Sequence, residues 1–131
     1  MNLTFFKGRR VCVTGGTGLI GSYVVKLLKE YGAWVRAVVH RHPPNKFTLA
    51  ADAIMSVNLC YQEFVPAAEG CDVVLSCAGI TGGIGIVDKD PLGYVGPATA
   101  MVINTLHAAH LAGVERFGWL SSTTVYSARE E

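Results

Sequence analysis

Apolar residues fall along this 131-residue chain in two alternating rhythms. Val11 to Thr14, Trp34 to Val39, Ile54 to Leu59, Asp72 to Cys77 and Phe117 to Ser121 are of strand length and mostly apolar, and Asp72 to Cys77 is continuous enough to be buried on both faces. Between them lie segments of helical period, about Leu19 to Tyr31, Tyr61 to Glu69 and about Pro97 to Ala112. In the first, Ile20, Val24, Leu27 and Leu28 mark the expected apolar face. Gly32, Gly70 and Gly113 follow the three segments where helix ends favour glycine, and Pro97 stands where a first turn favours proline. Residues 45–53 read as loop or one helical turn. Strands alternating with helices predict a three-layer α/β sandwich around a parallel sheet of about five strands.

The first crossover is unusual in its glycines. VCVTGGTGLIGSYVVKLL, residues 11–28, places Gly15, Gly16, Gly18 and Gly21 between a strand and a helix. A strand running straight into a helix leaves the first helical N–H groups unpaired, which makes an anion site. Glycine there allows the tight reversal and the approach of a phosphate. Gly16, Gly18 and Gly21 satisfy G-x-G-x-x-G, while Thr14, Gly15, Gly18 and Gly21 satisfy T-G-x-x-G-x-x-G. Both registers predict a Rossmann-type sheet of order 3-2-1-4-5, with a dinucleotide in the crevice at the carboxyl ends of strands one and four. An acidic residue at the end of strand two would suit NAD, but His40, Arg41 and His42 stand there instead. A guanidinium matches a 2′-phosphate in charge and geometry, so NADP is preferred and NAD stays open.

Half of the residues are hydrophobic, enough for a core, and the long glycine-rich connection from Ala78 to Gly96 has the length of a functional loop. Eleven basic and ten acidic residues, without a run of either, argue against a nucleic-acid partner. Apolar stretches are broken well short of a membrane span, and MNLTFFKGRR lacks a signal peptide's order, so a cytoplasmic protein away from membranes is expected. Cys12, Cys60, Cys71 and Cys77 form no C-x-x-C pair and read as small buried hydrophobes, with no metal site. His107 and His110 read as helix-surface histidines, Asp88 and Asp90 as part of a solvated turn before Pro91, and Asp72 as orienting the turn after Gly70.

With the glycine turn, SCAG at 76–79 and LSSTTVY at 120–126 in order, the chain resembles the N-terminal part of the extended short-chain dehydrogenase/reductases, the NAD-dependent epimerase/dehydratase family. AGITGGIGIVDKDP at 78–91 and NTLHAAHLAGVERF at 104–117 make it most similar to the nucleotide-sugar enzymes of the GDP-L-fucose synthase and GDP-mannose epimerase type. The resemblance implies that Gly15, Gly18 and Gly21 line the diphosphate while Leu19 and Ile20 donate backbone N–H groups. It puts Asn58 and Leu59 at the adenine, and Cys77, Ala78 and Gly79 along the cofactor ribose. Ser122 would hydrogen-bond the reacting sugar oxygen, with Thr124 nearby.

The chain also departs from that pattern. The family's acid/base pair is Y-x-x-x-K, but Tyr126 is followed four places on by Glu130, and no lysine comes after Lys89. Ala98 stands where the family has an active-site asparagine, and Asn104 matches a later one. The resemblance therefore implies one cofactor-binding domain over 1–131, truncated before the Y-x-x-x-K helix and lacking the substrate-binding part. Such a chain would bind a dinucleotide without turnover, whereas an intact relative passes a hydride between nicotinamide and a sugar carbon of a nucleotide-sugar. The alternative is a non-catalytic dinucleotide-sensing or protein-interaction module. Met101, Val102, Leu106 and Ala109 are expected to be uncovered on the 97–112 helix, which would favour a homodimer.

Overall fold

The computed structural model describes residues 3–61, 64–80 and 89–121. A five-stranded sheet of order β3-β2-β1-β4-β5 is built from β1 (Arg10–Thr14), β2 (Trp34–Val39), β3 (Ala53–Ser56), β4 (Val73–Ser76) and β5 (Arg116–Trp119). Every pairing is parallel, with Cys12 opposite Arg36 on one side and Val74 on the other. The expected order is the observed one.

β1 explains the continuous apolar reading. Its Val11 and Val13 point into a core with Val25, Leu28, Val35, Ala37 and Val73, while Cys12 points the other way, among Val38, Phe64, Val74, Ala108 and Ala109. Helices cover both faces of the sheet, so alternate side chains on a central strand are equally apolar. Helix α1 (Leu19–Glu30) packs on the first face; α2 (Val65–Ala68) and α3 (Pro91–Leu111) pack on the second. Gly32 has φ +77° and Gly113 φ +68°, and beyond each the chain folds back, Ala33 N–H to Leu28 O and Val114 N–H to Ala109 O, both at 3.0 Å.

Five boundaries or faces differ from expectation. The buried side of α1 is Gly21, Ser22, Val25 and Leu28, whereas Ile20 and Leu27 are exposed and Val24 is half-buried. A Cβ on Gly21 would strike the Gly15 carbonyl, so close packing of the helix on the turn sets its rotation, not the richest apolar stripe. Helix α3 begins at Pro91, six residues before Pro97, because Asp90 caps it by accepting the Gly93 N–H at 2.9 Å. Pro97 then lies inside the helix, and Asp90 is a cap where a solvated turn was expected. Helix α2 is confined to four residues, and β3 stops at Ser56, leaving Asn58 and Leu59 in the connection beyond. On α3, Leu106 is exposed and Met101 and Val102 are half-buried, but Ala109 is 3% exposed and belongs to the core.

Two side chains tie the amino ends of the strands. Asp72 accepts the Arg10 N–H at 2.7 Å, so its carboxylate ties the start of β4 to that of β1 rather than to the turn after Gly70. Arg36 of β2 donates to the carbonyls of Ala67 (2.8 Å) and Glu69 (2.9 Å) at the end of α2.

Candidate functional site at the glycine turn

β1 and β4 are neighbours in the sheet, yet their crossovers leave in opposite directions, to β2 and to β5. In a sheet of this kind ligands bind where the connections part, beyond the carboxyl ends of such strands. The glycine turn and residues 77–79 follow β1 and β4 at that end.

Each glycine has a distinct constraint. Gly15 has φ +67°, and a Cβ on it would lie 2.8 Å from the Ala78 backbone. Only glycine lets the two connections approach so closely. Gly16 is packed against the Ala37 side chain, and its N–H reaches the Val38 carbonyl at 2.9 Å. Gly18 is the N-cap of α1, and among the described residues the one near neighbour of an added Cβ is the Gly15 oxygen, at 3.2 Å.

No side chain caps α1, and the bond from Ser22 N–H to Gly18 O at 3.0 Å opens its ladder. The N–H groups of Leu19, Ile20 and Gly21 precede that bond, at the positive end of the helix dipole. Leu19 is 80% exposed and Ile20 54%, so the first turn of the helix is open to solvent. The arrangement can hold an anionic group by backbone alone. A cleared turn, uncapped amides and a close neighbouring strand end fit the diphosphate of a dinucleotide.

Thr14 is wholly buried, and its hydroxyl accepts the Ala78 N–H at 3.1 Å beside Ser76 Oγ at 3.5 Å. It thus fastens residues 77–79 against the turn. Cys77 is half-buried, Ala78 packs on the core and Gly79 is open to solvent. Burial pushes the Cys77 thiol up to about 11, which keeps it protonated near neutrality.

His40 and Arg41 are exposed just past β2, whose Val38 carbonyl holds Gly16. Asn58 folds its own segment, its side-chain oxygen accepting the Cys60 N–H at 3.1 Å. The Leu59 side chain is in the core and its carbonyl accepts from Asn104 of α3 at 3.0 Å. Ser122 and Thr124 lie outside the described residues.

Two residues of the site escaped the sequence reading. Asn45 accepts the N–H groups of Phe47 (2.9 Å) and Thr48 (3.1 Å), and the wholly buried Thr48 donates its hydroxyl to the Gly16 carbonyl at 2.6 Å. The N-x-x-T spacing ahead of a short 3₁₀ turn, Thr48–Ala50, was the available signal. Among the described residues, no group of three or more His, Cys, Asp or Glu could hold a metal, and no helix is long and apolar enough to cross a membrane.

The model of the NAD dependent epimerase/dehydratase family matches residues 11–131. Cinnamoyl-CoA reductase 1 of Petunia hybrida is 35% identical over 124 residues, which cover 88% of this chain and 35% of that protein. GDP-L-fucose synthase 1 of Arabidopsis thaliana is 28% identical over 120 residues, covering 92% and 34%. The solved structure of UDP-glucose-4-epimerase from Stenotrophomonas maltophila, with bound NAD and formylated UDP-arabinopyranose, superposes with a TM-score of 0.80 at 26% identity, covering 94% of this chain and 40% of that one. The chain thus spans about a third of the length of these two curated relatives.

Proposed function

We propose, for a chain that belongs to the NAD dependent epimerase/dehydratase family, that the glycine turn takes the diphosphate of a nicotinamide dinucleotide. The observation that carries this is the uncapped amino end of α1 beside a turn cleared of side chains. Gly15, Gly18 and Gly21 clear the space, Leu19 and Ile20 donate N–H groups, and Thr14 keeps residues 77–79 close. Asn58 and Leu59 serve the adenine end. His40 and Arg41 favour the 2′-phosphate, which makes NADP the better ligand and NAD the weaker.

A bound nicotinamide would supply or accept the hydride in an intact relative. Ser122 is proposed to steady the reacting oxygen there, with Thr124 beside it. The substrate class favoured by the GGIGI loop is a nucleotide-sugar, as GDP-L-fucose synthase 1 and the NAD-bound UDP-glucose-4-epimerase are similar proteins. Within these 131 residues no tyrosine-lysine pair is available, so the chain by itself binds without turnover.

Titration of the 131-residue protein with NADPH and NADH tests the reading. Saturable uptake, tighter for NADPH, is expected; a folded protein that takes up neither overturns it. A second reading, a non-catalytic sensing or interaction module, is favoured by one feature. An apolar groove of about 290 Å³ is lined by Ala98, Thr99, Val102 and Ile103 of the helix proposed for self-association and by Trp119 of β5. Sedimentation showing a dimer that Ile103→Lys dissolves would support it.

A further inference from the structure

The segment after β2 does more than carry positive charge. Gly16 is gripped at both ends, its N–H by Val38 O at 2.9 Å and its carbonyl by the Thr48 hydroxyl at 2.6 Å. Asn45 lies 3.1 Å from the same hydroxyl, but a single proton serves one acceptor well, and the shorter contact takes it. The Asn45 oxygen is occupied by two backbone N–H groups, and its Nδ2 reaches the Thr17 carbonyl at 3.5 Å. The ring of Phe47 rests on Tyr23 of α1, centroids 4.8 Å apart, which holds the segment against the same helix end.

Electrostatics gives this latch a purpose. A carbonyl oxygen turned toward a diphosphate would repel it, whereas an N–H attracts it. In a trans peptide the two point in opposite directions, so drawing the Gly16 carbonyl toward Thr48 turns the Thr17 N–H to the other side. We propose that Thr48, held by Asn45, is a positioning residue for the diphosphate: its hydroxyl pins the Gly16 carbonyl away from the ligand, so that the turn offers N–H groups to the anion. This rests on the dinucleotide reading above. It also makes the basic segment and the glycine turn one hydrogen-bonded unit, although 32 residues separate Thr48 from Gly16.

The test uses the 131-residue protein, titrated with NADPH and with adenosine 2′-phosphate, which carries no diphosphate. Thr48→Val keeps the shape and removes the donor; it is expected to weaken NADPH about tenfold, in line with one net hydrogen bond. Adenosine 2′-phosphate should change by less than about twofold on the same scale. Thr48→Ser should restore NADPH affinity, a rescue that lost packing alone would not give. Should Thr48→Val fail to fold, Asn45→Ala loosens the same hydroxyl from an exposed position and should give a smaller loss of the same selectivity. Wild-type NADPH affinity in the variants, or an equal loss for both ligands, overturns the latch and leaves the dinucleotide reading standing. Failure of the wild-type protein to bind NADPH or NADH overturns both.

Discussion

Gly15 and Ala78 approach so closely that a methyl group on the glycine would sit 2.8 Å from the alanine's backbone nitrogen and Cα. The glycine also holds φ +67°, where an L side chain is strained. Gly15→Ala should therefore cost about 2–4 kcal/mol in unfolding free energy and abolish dinucleotide uptake together. Gly18 is the contrast, since its φ of −72° suits any residue and, among the described residues, an added Cβ meets just the Gly15 oxygen at 3.2 Å. Gly18→Ala should change stability by less than about 1 kcal/mol while weakening NADPH at least tenfold by filling the approach. Urea melts and titrations of the two variants check this, and equal stability losses would show that both glycines are structural.

The start of β3 depends on one carboxylate. Lys29 reaches both oxygens of Asp52, at 2.8 and 2.7 Å, and the Val35 N–H donates to Asp52 at 2.6 Å. Burial works to raise the Asp52 carboxyl, but the Lys29 and Val35 hydrogen bonds outweigh it and hold the group below its ordinary value. A depressed folded pKa adds stability above the unfolded value, near pH 4, that is lost as pH falls through the folded one. The urea midpoint should thus drop below about pH 4 in the wild type and drop less in Asp52→Asn. The partial exposure of the pair keeps the effect modest.

Asp90 decides where α3 starts. Its side chain accepts the Gly93 N–H at 2.9 Å, and Pro91 supplies the first helical residue. Asp90→Ala should cost about 1 kcal/mol, and Asp90→Asn much less, because the amide oxygen can still cap. Chemical denaturation of the pair of variants distinguishes a cap from a charge effect.

That boundary shows what a linear reading can and cannot recover. The parallel sheet followed from strands alternating with helices, and its order from the spacing of the glycine turn, because both signals are local in sequence. The start of α3 was misplaced since Pro97 satisfies the same first-turn preference as Pro91, and periodicity cannot rank two such prolines. The rotation of α1 was misjudged because Gly21, with no side chain, sets the contact. Thr48 was missed because the N-x-x-T spacing signals just a local turn, while its hydroxyl's partner is a backbone carbonyl from a distant one. Asn104, noted for its place in the helix, turns out to hold the carbonyl of Leu59.

Arg36 should matter more for folding than for binding. Its guanidinium satisfies the carbonyls of Ala67 and Glu69 where α2 ends, and it lies 3.7 Å from the Cys71 sulfur. Arg36→Met leaves those acceptors without a charged donor and should cost about 1.5–3 kcal/mol, with NADPH affinity retained in the folded fraction. A melt and a titration at a temperature well below the midpoint separate the two effects.

Arg41 should behave in the opposite way. It is exposed, just past the end of β2, so its removal exposes no buried acceptor and should leave the melting temperature unchanged. If it meets the 2′-phosphate, Arg41→Ala removes a charge-assisted bond of about 1.5–3 kcal/mol, discounted here by solvent to roughly a tenfold loss for NADPH. NADH, which has no 2′-phosphate, should be affected less than about twofold, so the preference between the two narrows. Raising salt should narrow it further in the wild type than in the variant, since one screened ion pair has already been deleted. A selectivity that survives Arg41→Ala at low salt would move the recognition of the ribose to another residue, with His40 next in line along the same segment.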